Sequence, residues 1–199
     1  MHGKTRTALS VLLVLVAVML VAGCGSDDEP ADGPPTAPGN PTDRAFAAEM
    51  VPHHRSAVEM AAIAEREATS RFVRSLAAEI IRTQNAEIDQ LRRADKALAA
   101  ADVKKGELET AHRMTGMDDA AMLRGAKPFD REFIEMMVPH HEDAITMARV
   151  ELDRGANPEL KRLAQDIIDA QQREIRRMRA HLDGGASADA DATDTHSGT

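Results

Sequence analysis

FAAEMVPHHRSAVEMA at residues 46–61 returns as FIEMMVPHHEDAITMA at residues 133–148. Further along, LAAEIIRTQNAEIDQLR (76–92) returns as LAQDIIDAQQREIRRMR (163–179). Both pairs share an offset of 87 residues, held without a gap over 46–93 and 133–180, so the chain contains an internal duplication. Within each block apolar residues recur at spacings of three and four, the period of an amphipathic helix. Phe46, Met50, His53, Ala57, Met60, Ala61 and Ala64 share one face of the first helix, and His54 lies on its flank. Val73, Leu76, Ala77, Ile80, Gln84, Ile88 and Leu91 share one face of the second, with Glu87 at its edge.

Each copy therefore reads as a helix hairpin. In the first, Thr42 or Asp43 opens a helix that ends near Ala68, and Ser70 caps its partner. In the second, Asp130 caps a helix running to about Arg154, where Gly155 stops it. Asn157 and Pro158 then supply the cap and first-turn proline of a helix that reaches about Leu182, before Gly184 and Gly185. One hairpin alone leaves its apolar stripe in water, so two hairpins predict an all-α four-helix bundle over residues 43–182. The long connector from about Ala94 to Pro128 predicts one or two short helices packed across that bundle.

Composition agrees with this architecture and excludes several functions. The 199 residues include no Trp or Tyr, four Phe and 11 Met, so the core is assembled from aliphatic residues and methionine. A net charge of −8 with neither a basic stripe nor stacking aromatics excludes nucleic-acid binding. Cys24 is the only cysteine, which rules out an intramolecular disulfide, thiolate metal sites and a cysteine nucleophile in the helical region.

Residues 1–23 carry Lys4 and Arg6, then an apolar run from Ala8 to Ala22 of about 15 residues, shorter than the roughly 20 that span a bilayer. The segment predicts a secretory signal. Val21-Ala22-Gly23-Cys24 resembles the lipobox of bacterial lipoproteins. That resemblance implies cleavage before Cys24, acylation of its thiol, and a protein anchored through Cys24 to the extracytoplasmic face of the cell membrane. Residues 24–42 then form a Pro-, Gly- and Asp-rich disordered tether, and 183–199 a disordered tail.

The residues able to carry chemistry lie in the repeated blocks. His53 and His54 recur as His140 and His141, each pair directly after a proline, Pro52 or Pro139, that interrupts the helical hydrogen bonding. Met50 and Met137 stand one turn before His53 and His140, which makes a mixed thioether and imidazole metal site feasible. Gln84 and Glu87, with Gln171 and Glu174, interrupt the apolar stripes of the partner helices; they either satisfy the histidines or touch a metal directly. Met60 and Met147 read as core filler and stand as further ligand candidates, while His112, Met114 and Met117 in the connector could form an auxiliary site.

The MVPHH block followed by A-x-x-MA, then the Q-x-x-EI element, present twice, resembles the bacterial family catalogued as domain of unknown function 305. The resemblance implies a ferritin-like four-helix fold in exported proteins, with the paired histidines functional and copper binding in some members. Di-iron chemistry of the ferritin kind needs Glu-x-x-His motifs, and Met-x-x-His stands here instead. The leading expectation is an extracytoplasmic copper-binding lipoprotein that captures or buffers the metal, with zinc as the alternative ion. A helical interaction module whose histidines sit in a polar core is the competing reading. A metal-dependent enzyme ranks third, because no nucleophile elbow, phosphate loop or His-Glu-x-x-His motif is present.

Overall fold

The computed structural model describes residues 39–108 and 116–193, with side chains over 39–108 and 120–184. The signal segment, Cys24, most of the tether, His112, Met114, the side chain of Met117 and the chain beyond 193 lie outside the described residues. Five helices run through the described part: α1 (Pro41–Glu67), α2 (Arg71–Ala100), α3 (Gly116–Leu123), α4 (Phe129–Arg154) and α5 (Pro158–Thr193). The four long ones form the bundle and no strand accompanies them among the described residues. None is long and apolar enough to cross a membrane.

α1 packs along α2, and α4 along α5, as the duplication requires; the two hairpins then meet chiefly through α1 against α4, and α2 scarcely touches α5. The short helix α3 lies over α1 and reaches α4. α2, α3 and α4 all cover α1, and small Ala45, Ala47, Ala57, Ala61 and Ala64 are fully buried there. Phe46 and its counterpart Phe133 are likewise fully buried, with Met50, Met60 and Met137 filling the space beside them.

Helix ends follow local chemistry, at positions that differ in part from the sequence expectation. α1 starts at Pro41 because Asn40 Oδ1 accepts from the Thr42 and Asp43 amides, one or two residues earlier than expected. α2 continues through Ala-rich 94–100 into the expected connector. It stops where Asp102 adopts φ 59° and the Val103 amide reaches back to the Leu98 carbonyl, a Schellman-type end. Ser70 and Asn157 cap α2 and α5 as expected. α5 runs on to Thr193 through Gly184 and Gly185, where the sequence predicted its end: glycine costs a helix about 1 kcal/mol, and alanines follow at 186, 188 and 190.

Asp130 does not cap its own helix. It reaches across to the other hairpin, where Oδ1 accepts from the Thr69 amide at 2.8 Å and Oδ2 from the Thr69 hydroxyl at 2.7 Å and the Ser70 amide at 2.6 Å. Its repeat partner Asp43 does the same in return, accepting from the Ala156 and Asn157 amides of the α4–α5 turn. Each hairpin thus supplies the carboxylate that satisfies the other's turn. Partial burial alone would raise the Asp130 pKa, but the bonds from Thr69 and Ser70 outweigh it and hold it below 3.8. Asp130→Ala is expected to lower stability by about 1–2 kcal/mol in chemical denaturation; a loss of a few tenths would show that these bonds add nothing beyond solvation. In the unmodified protein the contribution is present above pH 3.8 and fades as pH falls through the lower folded value.

One position breaks the repeat. Ala64 and Ala68 of the first copy become Glu151 and Gly155 in the second. Glu151 is fully buried, and a Cβ on residue 155 would stand 2.2 Å from its Oε1, so glycine there makes room for the carboxyl. Burial foremost, then the neighbouring Asp43 carboxylate, push the Glu151 pKa up to about 9, with Lys161 acting the other way. Between about pH 4.5 and 9 the folded chain keeps a proton that the unfolded chain releases, so stability falls as pH rises through that window. Glu151→Gln is expected to flatten the fall in melting temperature from pH 6 to 9; an unchanged slope would assign it to another group.

Candidate metal centre

Pro52 and Pro139 lie well inside α1 and α4. Neither can donate to the carbonyl four residues earlier, at Ala48 or Glu135, so each helix loses one rung directly before its histidine pair. Both prolines are exposed, while His53 and His140, one residue further along, meet where α1 and α4 pack.

His53 and His140 meet across the seam with ring centroids 3.9 Å apart and planes tilted by 45°. Each ring is 6.3–6.4 Å from the histidine that follows it in sequence. His53 is 9% exposed and His140 somewhat more, whereas His54 and His141, on the flank of the apolar stripe, are fully buried because α2 and α5 cover that flank. His54 Nε2 lies 2.8 Å from Glu87 Oε2, and His141 Nε2 lies 2.6 Å from Glu174 Oε2. The duplication thus becomes spatial: two imidazoles in contact at the centre, and a histidine–glutamate pair on either side.

The remaining candidates divide. Gln84 and Gln171 are buried in the stripes that carry Glu87 and Glu174. Both amide atoms of Gln84 and the carbonyl oxygen of Gln171 have no hydrogen-bond partner among the described residues. Met50 and Met137 are fully buried one turn before the central histidines, and Met60 and Met147 are buried further along the same helices. Glu151 is a buried acid that the apolar stripe does not announce; the signal for it is the mismatch with Ala64 when the two copies are compared.

Burial, followed by the proximity of His141 and His54, drives the His140 pKa from 6.5 down to about 3, against a hydrogen bond to the His53 backbone that favours the charged form. The ring is therefore neutral at physiological pH and its lone pair can bind a metal. His54, His140 and His141 each have an Nδ1 that is buried and lacks a hydrogen-bond partner among the described residues. An unsatisfied buried polar atom costs about 1–3 kcal/mol, so this is a donor set suited to a bound cation. Neutral imidazole with thioether suits Cu(I), and imidazole with carboxylate suits Cu(II) or zinc. Among the described residues, however, no three His, Cys, Asp or Glu side chains close around one point, so the donors stand as pairs.

The family described as Domain of unknown function (DUF305) matches residues 43–182, which take in both hairpins and the connector. The chain belongs to the DUF305 family. Among solved structures, CopM in its Cu(II)-bound form is 33% identical, with a TM-score of 0.62 over 71% of this chain and 96% of CopM. CopM has also been solved in Cu(I)- and Ag-bound forms. A DUF305 fragment from Deinococcus radiodurans is 30% identical, with a TM-score of 0.60 over 73% of this chain and 97% of the fragment. The uncharacterized protein L153 of Acanthamoeba polyphaga mimivirus is 44% identical over 54 residues, 27% of this DUF305 chain and 36% of the viral protein's length.

Since the folded chain excludes a proton from His140 that the unfolded chain accepts below pH 6.5, the metal-free protein is expected to lose stability as pH falls from 6.5 toward 3. His140→Gln should show a smaller drop in melting temperature between pH 7 and 4. An equal drop would remove His140 as its source.

Proposed function

We propose that this DUF305 protein binds copper outside the cytoplasmic membrane and captures or buffers it there, held to the membrane through lipidated Cys24. The observation that carries the reading is the cluster at the α1–α4 seam. Four imidazoles with three unpartnered buried Nδ1 atoms, two glutamates and two methionines one turn away form a donor set suited to copper. The likeness to CopM, whose structures hold Cu(II), Cu(I) and Ag, supports the choice of copper over zinc. The residues given to the metal are His53, His54, His140, His141, Met50 and Met137. No catalytic step is assigned to them.

A second reading is favoured by the absence, among the described residues, of three His or acidic groups around one point. In that reading the seam is a polar core of a helical interaction module. Titration separates the two. The protein from residue 25 onward, titrated with Cu(I), Cu(II) and Zn, is expected to bind copper at micromolar or tighter affinity. A variant with His53, His54, His140 and His141 changed to Ala, confirmed helical by circular dichroism, is expected to lose that binding. No copper bound by the unmodified protein would leave the interaction module.

A further inference from the structure

A metal placed among these side chains could take the glutamates as ligands or leave them to act on the histidines, and the two roles demand different geometry. A liganding carboxylate has oxygen lone pairs directed at the ion. Here Glu174 Oε2 is committed to Nε2 of His141 at 2.6 Å, inside the bundle, where both residues are buried. A carboxylate can only accept hydrogen bonds, so with the acid ionised this contact requires the proton on the ring nitrogen. The other nitrogen of that ring, Nδ1, is buried and has no acceptor near it among the described residues. A second proton there would be a buried donor with nothing to receive it, so the lone pair is what Nδ1 presents.

The first copy repeats the pairing of residues but not the hydrogen bond. Glu87 Oε2 is 2.8 Å from His54 Nε2, within ion-pair reach but off the direction of a hydrogen bond, and both ring nitrogens of His54 are buried without a hydrogen-bond partner among the described residues. Glu87 and Glu174 also occupy the same place in the repeat, 87 residues apart, on the helices that flank the seam rather than form it.

We infer that Glu87 and Glu174 are positioning residues: each holds its histidine as the Nε2–H tautomer and thereby dedicates Nδ1 of His54 and of His141 to the metal. The inference rests on the copper reading above and assigns the coordinating atom within it. Chemically it is the arrangement in which the distal N–H of a liganding imidazole donates to a carboxylate, which fixes the ring's orientation and raises its basicity. It also explains why charged residues interrupt an apolar stripe twice at one register: a glutamate can take the imidazole N–H at short range, and Gln84 and Gln171 leave amide atoms unpartnered in the same stripes.

The test reads nitrogen atoms rather than activity. The protein from residue 25 onward, which retains every described residue, is labelled with 15N-histidine, and each ring is assigned with single variants. In the metal-free protein, long-range 15N–1H correlation is expected to show His54 and His141 as Nε2–H tautomers with a bare Nδ1. Titration with Ag(I) or Cu(I), both closed-shell ions, is expected to move the Nδ1 resonances of these two rings and leave Nε2 protonated. In the double variant Glu87→Gln and Glu174→Gln, the tautomers are expected to mix and copper affinity to fall about 10- to 100-fold. If that variant does not fold, the shifts of the unmodified protein still decide the matter. Coordination through Nε2 or through the carboxylates would overturn this assignment and leave the copper reading standing. Nε2–H rings in a protein that binds neither Ag(I) nor Cu(I) would overturn both.

Discussion

This bundle has to accommodate four imidazoles and two carboxylates, with His140 and Glu87 only partly enclosed, between helices whose other inward residues are alanine, methionine and branched aliphatics. Buried polar groups are tolerated only with partners, and the partners here come from different helices: His53 meets His140 from α4, His54 meets Glu87 from α2, and His141 meets Glu174 from α5. Register and helix order follow from that requirement. A slip of one residue along α1 would take His54 from Glu87 and set a ring against apolar side chains. The polar cluster therefore specifies how the hairpins dock, while the alanines of α1 and the buried methionines allow the close approach.

Much of this was legible in the sequence, because two copies of a pattern can be compared with each other. The 87-residue offset, the two apolar stripes per copy and the caps at Ser70 and Asn157 identified four long helices and their pairing. The histidine pairs, Gln84, Gln171, Glu87 and Glu174 stood out as polar breaks in apolar faces, and the structure brings the histidines and glutamates into direct contact. What periodicity could not say was which glutamate faces which histidine, or that His54 is more enclosed than His53; that depends on how far α2 and α5 wrap the flank, a property of packing.

The misread helix ends have a common cause. Local rules, which consider only neighbours in sequence, make Asp130 a cap for its own helix, yet its carboxylate satisfies amides 60 and 61 residues away. α2 and α5 pass their expected ends because alanine-rich continuations keep a helix going where a compositional shift or a glycine pair suggests a stop. The Glu151 and Gly155 pair shows a further kind of information: an acid installed in one copy together with the lost methyl that admits it, invisible to any stripe but plain when the copies are laid side by side.

The reciprocal carboxylates have a consequence for how the two halves are joined. Asp43 serves the α4–α5 turn and Asp130 the α1–α2 turn, while His53 touches His140, its own image. A contact from i to j matched by one from j to i is the signature of an isologous, two-fold interface, the kind that pairs identical subunits. Here it is made within one chain. None of these reciprocal contacts is made by the connector, so two separate hairpins would carry the same complementary surfaces that the two halves of this chain present to each other.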